Sequence, residues 1–187
     1  VYLETLTVPE MVRQMTTREC DVAISTVPLN EPLLAAKSLG HWTLVCAFPQ
    51  GHPFEALKSV GLRKVVAEPL VGFSAETPQG RFVWEWCQSH GTTFAPRIQV
   101  RSGLNACAMV AQGAGVAVVD DLTARAYGQG AVLFRPIPKA PETEVLAVTN
   151  RQVAPSALLK AFVGLVGSAL RRAKQQQLSV GTTVTSR

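Results

Sequence analysis

Apolar and polar positions along this chain follow two different periods, which predicts strands and helices in alternation. Short runs rich in β-branched and aromatic residues are typical of strands, whereas apolar residues that recur every three or four positions are typical of amphipathic helices. We predict strands at 1–6, 20–25, 33–39, 42–48, within 65–73, and at 97–100, 116–119, 132–134 and 144–149. We predict helices at 9–18, 80–90, 104–112, 122–127 and 155–174. This alternation favours an α/β fold with parallel sheets covered by helices on both faces.

Two strand-like crossings divide the chain into two predicted lobes. The crossings lie at 42–48 and 144–149, on either side of a long middle block. We expect lobe I to comprise 1–48 plus 141–174 and lobe II to comprise 49–140. A cleft between two such lobes is a common place for a small ligand.

The stretch 101–124 carries candidate binding groups at both ends of one helix–turn–strand unit. Ser102 can cap the helix that follows it, and a helix N-terminus with free amides attracts anions. The buried strand ends at Asp120, whose carboxylate can accept from an amino or guanidino group. Structural alternatives stay open. Ser102 can serve only as a cap while Arg101 points to solvent, and either Asp120 or Asp121 can cap the next helix.

Composition is typical of a globular protein with one large domain or two small ones. Of 187 residues, 47% are hydrophobic and 17% are charged. The net charge is +5, but the basic residues are scattered or lie near the chain end, whereas phosphate binding needs clustered Lys and Arg. We therefore do not expect this segment itself to bind nucleic acid.

Hydropathy along the chain predicts no membrane contact. No apolar run reaches the roughly 20 residues that cross a bilayer, and no basic-then-apolar leader opens the chain. The segment 175–187 is polar and lacks a core-forming pattern, so we expect it to be disordered.

The cysteines and histidines favour neither catalytic nor metal chemistry. Cys20, Cys46, Cys87 and Cys107 form no C-x-x-C pair and sit in apolar or helical settings, so we expect reduced thiols in a cytosolic protein. The three histidines are far apart and lack metal-ligand spacing. We find no convincing Ser-His-Asp arrangement, carboxylate pair or phosphate-binding glycine loop. We expect no enzyme activity, no cofactor and no metal.

Four motifs, taken in order, resemble one known family. They are CDVAIS after a short helix, PQGHPF after a strand, the loop GFSAETPQGR and the segment GAGVAVVDDLTA. Together they resemble the effector-binding domain of LysR-type transcriptional regulators over about residues 1–172. The resemblance implies two Rossmann-like lobes joined by two crossover strands, similar to type 2 periplasmic binding proteins, with a small-molecule effector in the cleft. It also implies a bacterial regulator that works in the cytoplasm.

The same resemblance implies partners. The effector signal would pass to an N-terminal winged helix-turn-helix that is absent from this chain, in a homodimer or homotetramer, and DNA would be contacted only through that domain. The form VVDDLTA looks closest to branches that sense amino acids or opines, which favours an amino-acid-like effector or a small carboxylate. In one departure, the family's first strand and first helix of lobe I are not found, and the chain begins where the second strand is expected.

The candidate effector-binding residues lie in loops at strand ends and at helix N-termini. In the GFSAET loop, which faces the cleft in relatives, the aromatic ring can wall the site, the hydroxyls can orient a carboxylate and Glu76 can pair with an ammonium group. A solvated turn is the alternative for this loop, and a plain turn residue is the alternative for Thr26. The candidates are Thr26, Phe73, Ser74, Glu76, Thr77, Arg101, Ser102 and Asp120.

A second function stays open on the sequence alone. An extracytoplasmic solute-binding protein of the same fold would deliver an amino acid or a small carboxylate to a transporter. The lack of a leader and four cysteines without evident pairing count against it. An enzyme on this fold is a third hypothesis, and it lacks a catalytic constellation.

Overall fold

The computed structural model describes residues 1–127 and 130–182, with side chains described through residue 172. Six α-helices lie in this described part: α1 (Val8–Thr17), α2 (Leu62–Ala67), α3 (Pro78–Ser89), α4 (Gly103–Ala111), α5 (Asp121–Tyr127) and α6 (Ala157–Thr182). Its strands are β1 (Ala23–Ser25), β2 (Leu34–Pro49), β3 (Leu70–Phe73), β4 (Ile98–Val100), β5 (Val116–Asp120), β6 (Val132–Pro136) and β7 (Glu142–Asn150). A short 3-10 helix spans Pro53–Ala56.

The chain forms two compact units, and two long strands pass from one to the other. The first unit contains Val1–His41 and the described residues from Thr143 onward, and the second unit contains Trp42–Glu142. The sequence predicts that lobe I ends at residue 48 and resumes at residue 141. The first compact unit ends at residue 41 and resumes at residue 143. Both sets of boundaries fall in or beside the same strands, β2 and β7.

The sheet of the second unit is mixed, so the prediction of purely parallel sheets is wrong. β3 pairs in parallel with β4 and with β5. β2 pairs antiparallel with β5 on one side and with β6 on the other. The reason is that β2 connects the two units and is not part of a strand–helix–strand repeat, so the crossover rule that makes neighbouring strands parallel does not apply to it.

Helix α4 fixes the core of the second unit. Its buried residues Gly103, Ala106, Cys107 and Val110 recur at the spacing of one helix face. This face packs in a cluster with β-strand residues such as Val71 and Val119. Small side chains on α4 let its backbone approach the sheet closely. Its N-terminus lies at the carboxyl end of β4 because only residues 101–102 separate the two elements.

The first unit is built on α1 and the β1–β7 pair. Met11 and Met15 of α1 pack against Leu34, Leu146 and Val148. β1 pairs antiparallel with β7, with Ala23 opposite Val148, Ile24 opposite Ala147 and Ser25 opposite Leu146. The side-chain amide of Asn150, which is buried, donates to the Met15 carbonyl at 3.0 Å and ties the end of β7 to the end of α1.

The predicted helices at 9–18, 80–90, 104–112 and 122–127 are confirmed to within two residues at each end. Proline in the first turn of α1 and α3 and the side-chain caps of α3 and α4 set these boundaries from local sequence. The short helix α2 was not expected, because six residues are too few to show a helical period.

Several strand predictions need correction. Residues 1–6 form no strand, because the polar–apolar alternation alone supplies no hydrogen-bonded neighbour in the described structure. The separate strands expected at 33–39 and 42–48 are one continuous strand, β2, which runs through the Gly40-His41 interruption in the apolar pattern. β1 is three residues long, shorter than the 20–25 expected.

The last helix is longer than the pattern predicts. α6 begins at Ala157 and extends to Thr182, beyond the end expected at residue 174. Its backbone therefore covers part of the segment 175–187 for which the sequence predicts disorder, and residues 183–187 of that segment lie outside the described residues. Among the helices in the described ranges, none has the length and apolarity needed to span a membrane.

Candidate functional site

The carboxyl ends of three parallel strands meet at one edge of the second unit's sheet. In the register of β3 and β4, Phe73 lies opposite Val100, and in that of β3 and β5, Val71 lies opposite Ala117. The residues that leave these strands, Ser74, Arg101 and Asp120, therefore share one edge. In open α/β sheets, this edge is where ligands bind.

The loop after β3 is held in a fixed conformation by its own hydrogen bonds. The Ser74 carbonyl accepts from the Thr77 amide at 2.9 Å and from the Thr77 hydroxyl at 2.8 Å. The Thr77 hydroxyl oxygen in turn accepts from the Gly80 amide at 3.0 Å and caps α3. A Cβ on Gly80 would lie 1.9 Å from the Ser74 carbonyl oxygen, so this turn requires glycine. The hydroxyl proton of Thr77 is thus committed to the loop.

The other candidates in this loop differ in exposure. Phe73 is buried and ends β3, whereas Glu76 is exposed. The Ser74 hydroxyl oxygen accepts from the Glu76 amide at 3.3 Å, a bond that leaves the hydroxyl proton available.

The N-terminus of α4 follows β4 directly. Ser102 caps the helix, and its hydroxyl oxygen accepts from the Asn105 amide at 3.2 Å. The Ser102 carbonyl accepts from the Ala106 amide, which leaves the earlier amides of the first turn without an intrahelical partner. Arg101 is exposed. The geometry therefore confirms the cap at Ser102 and is compatible with an anion near the helix end.

The structure decides which aspartate caps α5. The Asp120 carboxylate accepts from the Thr123 amide at 2.6 Å and from the Thr123 hydroxyl at 2.7 Å, so Asp120 is the cap. The neighbouring Asp121 is 4% exposed, accepts from the Thr43 amide at 3.0 Å and pairs with Arg125. The two aspartates thus point to different surroundings and have different roles.

Thr123 joins the two helix N-termini at this edge. A Cβ placed on Gly103 would lie 2.7 Å from the Thr123 hydroxyl oxygen, so the first turn of α4 lies directly against the first turn of α5. Burial, together with the Asp120 charge, raises the pKa of the Cys107 thiol to about 11. Both observations place Asp120 beside the α4 helix that Ser102 caps. The Asp-x-x-Thr spacing could have indicated Thr123, because a side chain three residues after a cap can contact it.

Trp42 is a second residue at this edge that sequence reasoning missed. Leu44 of β2 lies opposite Asp120 of β5, so Trp42 lies just beyond the end of β5. The Trp42 ring packs edge-on against Phe82 of α3, with centroids 5.6 Å apart. Trp42 is 5% exposed, and its indole nitrogen has no acceptor among the described residues. Only the sheet register indicates that it lies near Asp120.

The first unit contains one of the eight candidates, Thr26. It follows β1, is half-buried and lies in a turn held by the Ser25 hydroxyl, which donates to the Val27 carbonyl at 2.9 Å and accepts from the Val27 amide at 3.0 Å. The other seven candidates lie in the second unit. A surface pocket of about 260 Å³ in the first unit contains none of the eight. It is lined by Leu29, Asn30, Glu31, Pro32, Leu34, Ala36, Val148 and Arg151.

The cysteines are free thiols, and three of them are buried. Burial raises the pKa of Cys46 to about 12, and it also raises the pKa of Cys87. These thiols are therefore protonated at neutral pH and poor nucleophiles. Within the described residues, no three His, Cys, Asp or Glu side chains are grouped so as to hold a metal ion.

Comparison with known proteins identifies the family. Residues 1–171 match the family described as "LysR substrate binding domain". The regulatory protein NocR of Agrobacterium tumefaciens is 27% identical over 135 residues, which is 72% of this chain and 45% of NocR. The chain therefore spans less than half the length of this relative.

Solved structures share the fold. The regulatory domain of CcmR from Synechocystis PCC6803, in complex with 2-PG, superimposes with a TM-score of 0.75 at 16% identity, covering 91% of this chain and 83% of that domain. The effector binding domain of BenM, with its effector benzoate, gives a TM-score of 0.70 at 16% identity. The match covers 94% of this chain and 78% of the BenM domain. These structures confirm the predicted two-lobed fold of periplasmic-binding-protein type. With a family match over nearly the whole described chain, this protein belongs to the LysR substrate binding domain family.

Proposed function

We propose that this chain is the effector-sensing domain of a LysR-type transcriptional regulator that works in the bacterial cytoplasm. The effector is a small molecule, and DNA is contacted by a separate domain of the intact regulator, which assembles as a homodimer or homotetramer. The family match and the named regulator among the relatives support this function over a periplasmic solute-binding protein. The four cysteines are free thiols, which agrees with a reducing compartment.

One observation carries the proposal for the site: an anion-binding helix end and a carboxylate lie side by side. Ser102 caps α4, Asp120 caps α5, and Thr123 links the two caps. A ligand carboxylate gains from the free amides of α4 and from the Arg101 guanidinium, while an ammonium or guanidinium group gains from Asp120. This pairing of opposite charges supports an amino-acid-like effector, and a small carboxylate is the simpler alternative.

The surrounding loop supplies shape and further polar contacts. Phe73 walls the site, the Ser74 hydroxyl donates to the effector and Glu76 adds negative charge. Thr77 contributes through the loop rather than by donating its proton, because that proton already binds the Ser74 carbonyl. Thr26 remains a candidate in the first unit, where its half-buried hydroxyl follows the end of β1.

Asp120 has spare capacity for a ligand even though it caps α5. A carboxylate offers about four lone-pair sites, and Thr123 occupies two of them. An effector cation can therefore bind without removing the cap, or it can displace the Thr123 hydroxyl and loosen the first turn of α5. Effector binding would shift the population of domain conformations only to the extent that it favours one of them.

A thermal-shift screen tests the function and the effector class together. The probes are the twenty L-amino acids and benzoate, each added singly to the wild-type chain. A ligand that binds the folded chain raises the unfolding temperature, and the rise grows with the ratio of free ligand concentration to Kd. We expect at least one probe to raise it and Ser102→Ala to reduce that shift. No shift with any probe, together with an upstream gene sequence that encodes no helix-turn-helix, would overturn the proposal.

A further inference from the structure

We propose that Thr43 and Asp121 form an exit clamp, a set of contacts that fixes both connecting strands where they leave the second unit. The clamp comprises Thr43, Asp121, Arg125 and Pro141. Its link to effector sensing rests on the proposed function, but its existence as a positioning device does not. Thr43 and Asp121 are positioning residues in this proposal, since they act through the strands that they hold.

Thr43 contacts both connecting segments at once. It is the second residue of the second unit, on β2, and Pro141 lies one residue before the start of β7. The Thr43 hydroxyl donates to the Pro141 carbonyl at 3.1 Å, across 98 residues of sequence. β2 and β7 are hydrogen-bonded neighbours in the sheet, and the Thr43 side chain adds a contact between the incoming and outgoing segments at the boundary of the unit.

Asp121 anchors the same point to helix α5. Its carboxylate accepts from the Thr43 backbone amide at 3.0 Å, across 78 residues of sequence. Asp121 is buried, and a buried carboxylate is costly unless it is paired and hydrogen-bonded. Arg125, one turn further along α5, supplies the opposite charge. The buried charge thus has a defined set of partners, which favours a single position for Thr43.

The clamp is joined to the candidate effector site by a single peptide bond. Asp120 faces Thr123 and the α4 N-terminus, while the next residue, Asp121, faces the connecting strands. A change in the first turn of α5 that begins at Asp120 therefore moves the acceptor of the Thr43 amide. If the clamp and the candidate effector site are coupled in this way, linkage requires that a change in the clamp also changes the affinity of the site for its effector.

Hydrogen exchange without any added compound tests the clamp itself. Thr43→Val removes the hydroxyl and keeps the shape and the backbone amide, and Thr43→Ser restores the hydroxyl. Thr92→Val is the matched control, because the Thr92 hydroxyl donates to the Cys87 carbonyl at 3.0 Å elsewhere in the same unit. Losing one hydrogen bond changes the equilibrium constant for local opening about fivefold. We expect the amide exchange rates at residue 43 and at residues 142–144 to rise about fivefold in Thr43→Val and to stay unchanged in Thr92→Val. In Thr43→Ser these rates should match those of the wild type.

A double-mutant cycle tests the connection to the effector site, again without a ligand. Thr123→Val removes the hydroxyl that binds Asp120. We expect it to raise exchange at the Thr43 amide by about twofold, and we expect the effects of Thr123→Val and Thr43→Val at that amide to be non-additive. Fluorescence of the adjacent Trp42 provides a second readout. We expect its emission to change in Thr43→Val and to stay the same in Thr92→Val.

The outcomes separate this inference from the function. The clamp would be overturned if exchange at residues 43 and 142–144 were equal in Thr43→Val and Thr92→Val, or if Thr43→Ser did not restore the wild-type rates. This holds whatever the thermal-shift screen shows. Additive effects in the cycle would overturn its connection to Asp120. A screen in which no probe binds would count against the proposed effector site, and it would leave the measured exchange at the clamp unchanged.

Discussion

Asp120 accepts hydrogen bonds from Thr123 with both carboxylate oxygens, at 2.6 Å from the amide and 2.7 Å from the hydroxyl. This pair places the cap of α5 against the first turn of α4, so that one residue serves helix stability and presents negative charge at the candidate site. Stability and binding can be separated at this position, because a cap needs an acceptor whereas a cationic ligand needs a charge.

Asp120→Asn and Asp120→Ala should therefore differ. Asparagine keeps one acceptor oxygen for the Thr123 amide, so Asp120→Asn should destabilise the chain less than Asp120→Ala, which should cost about 1 kcal/mol. Both variants lose the charge and should weaken binding of an amino-acid probe about tenfold, which calorimetry measures. Binding that survives Asp120→Asn unchanged would remove the carboxylate from the effector site.

Ser102→Ala should cost about 1 kcal/mol in unfolding free energy and also weaken binding of a carboxylate, because the variant loses the cap and the hydroxyl. Ser156→Ala is the matched control, since the Ser156 hydroxyl accepts from the Leu159 amide at 3.1 Å near the start of α6. Denaturant unfolding should give similar losses for both variants. If the control weakened carboxylate binding equally, Ser102 would have no special part in recognition.

Gly103→Ala should destabilise the chain, because its Cβ would lie 2.7 Å from the Thr123 hydroxyl oxygen and 2.8 Å from its methyl carbon. Moving Thr123 away from this Cβ would strain its two bonds to Asp120, so we expect a loss of about 1–3 kcal/mol. Gly164→Ala in α6 is the contrasting variant, since nothing lies within 4 Å of its added Cβ. Alanine there should stabilise the helix by about 0.5–1 kcal/mol. Equal effects in chemical denaturation would contradict the close packing of α4 on α5.

Alkaline pH should destabilise the fold through its buried thiols. The pKa of Cys46 is raised from 9.0 to about 12, so the unfolded chain loses this proton first as the pH rises. Stability from this thiol is complete below pH 9 and falls by about 1.4 kcal/mol per pH unit between pH 9 and pH 12. Unfolding curves for the wild type and Cys46→Ala, measured across this range, should differ in slope. Parallel curves would show that Cys46 does not control the alkaline transition.

The same thiols should resist alkylation at pH 8. With a pKa of about 11, Cys107 is a thiolate in about one molecule in a thousand. Mass spectrometry after treatment with iodoacetamide should therefore show modification first at half-buried Cys20. Early modification of Cys46 or Cys107 in folded protein would contradict their burial.

Local sequence was sufficient for most helices of the second unit and for one part of the candidate site. Proline and capping residues lie within a few positions of the helix starts that they set, so Ser102 could be recognised as a cap without any knowledge of the fold. The order of four motifs was likewise enough to identify the family, which the match over residues 1–171 confirms. The strand expected at 1–6 failed because a strand also needs a neighbour.

Tertiary structure decided the contacts between distant residues. Two adjacent aspartates look equivalent in the sequence, yet Asp120 binds Thr123 three residues away while Asp121 is buried against Thr43, 78 residues earlier. Likewise, Trp42 reaches the edge of the sheet only because β2 pairs antiparallel with β5. Periodicity and capping depend on neighbours along the chain, and the sequence determined them by itself. The partners of a buried charge depend on strand register and helix packing, which exist only in the folded chain.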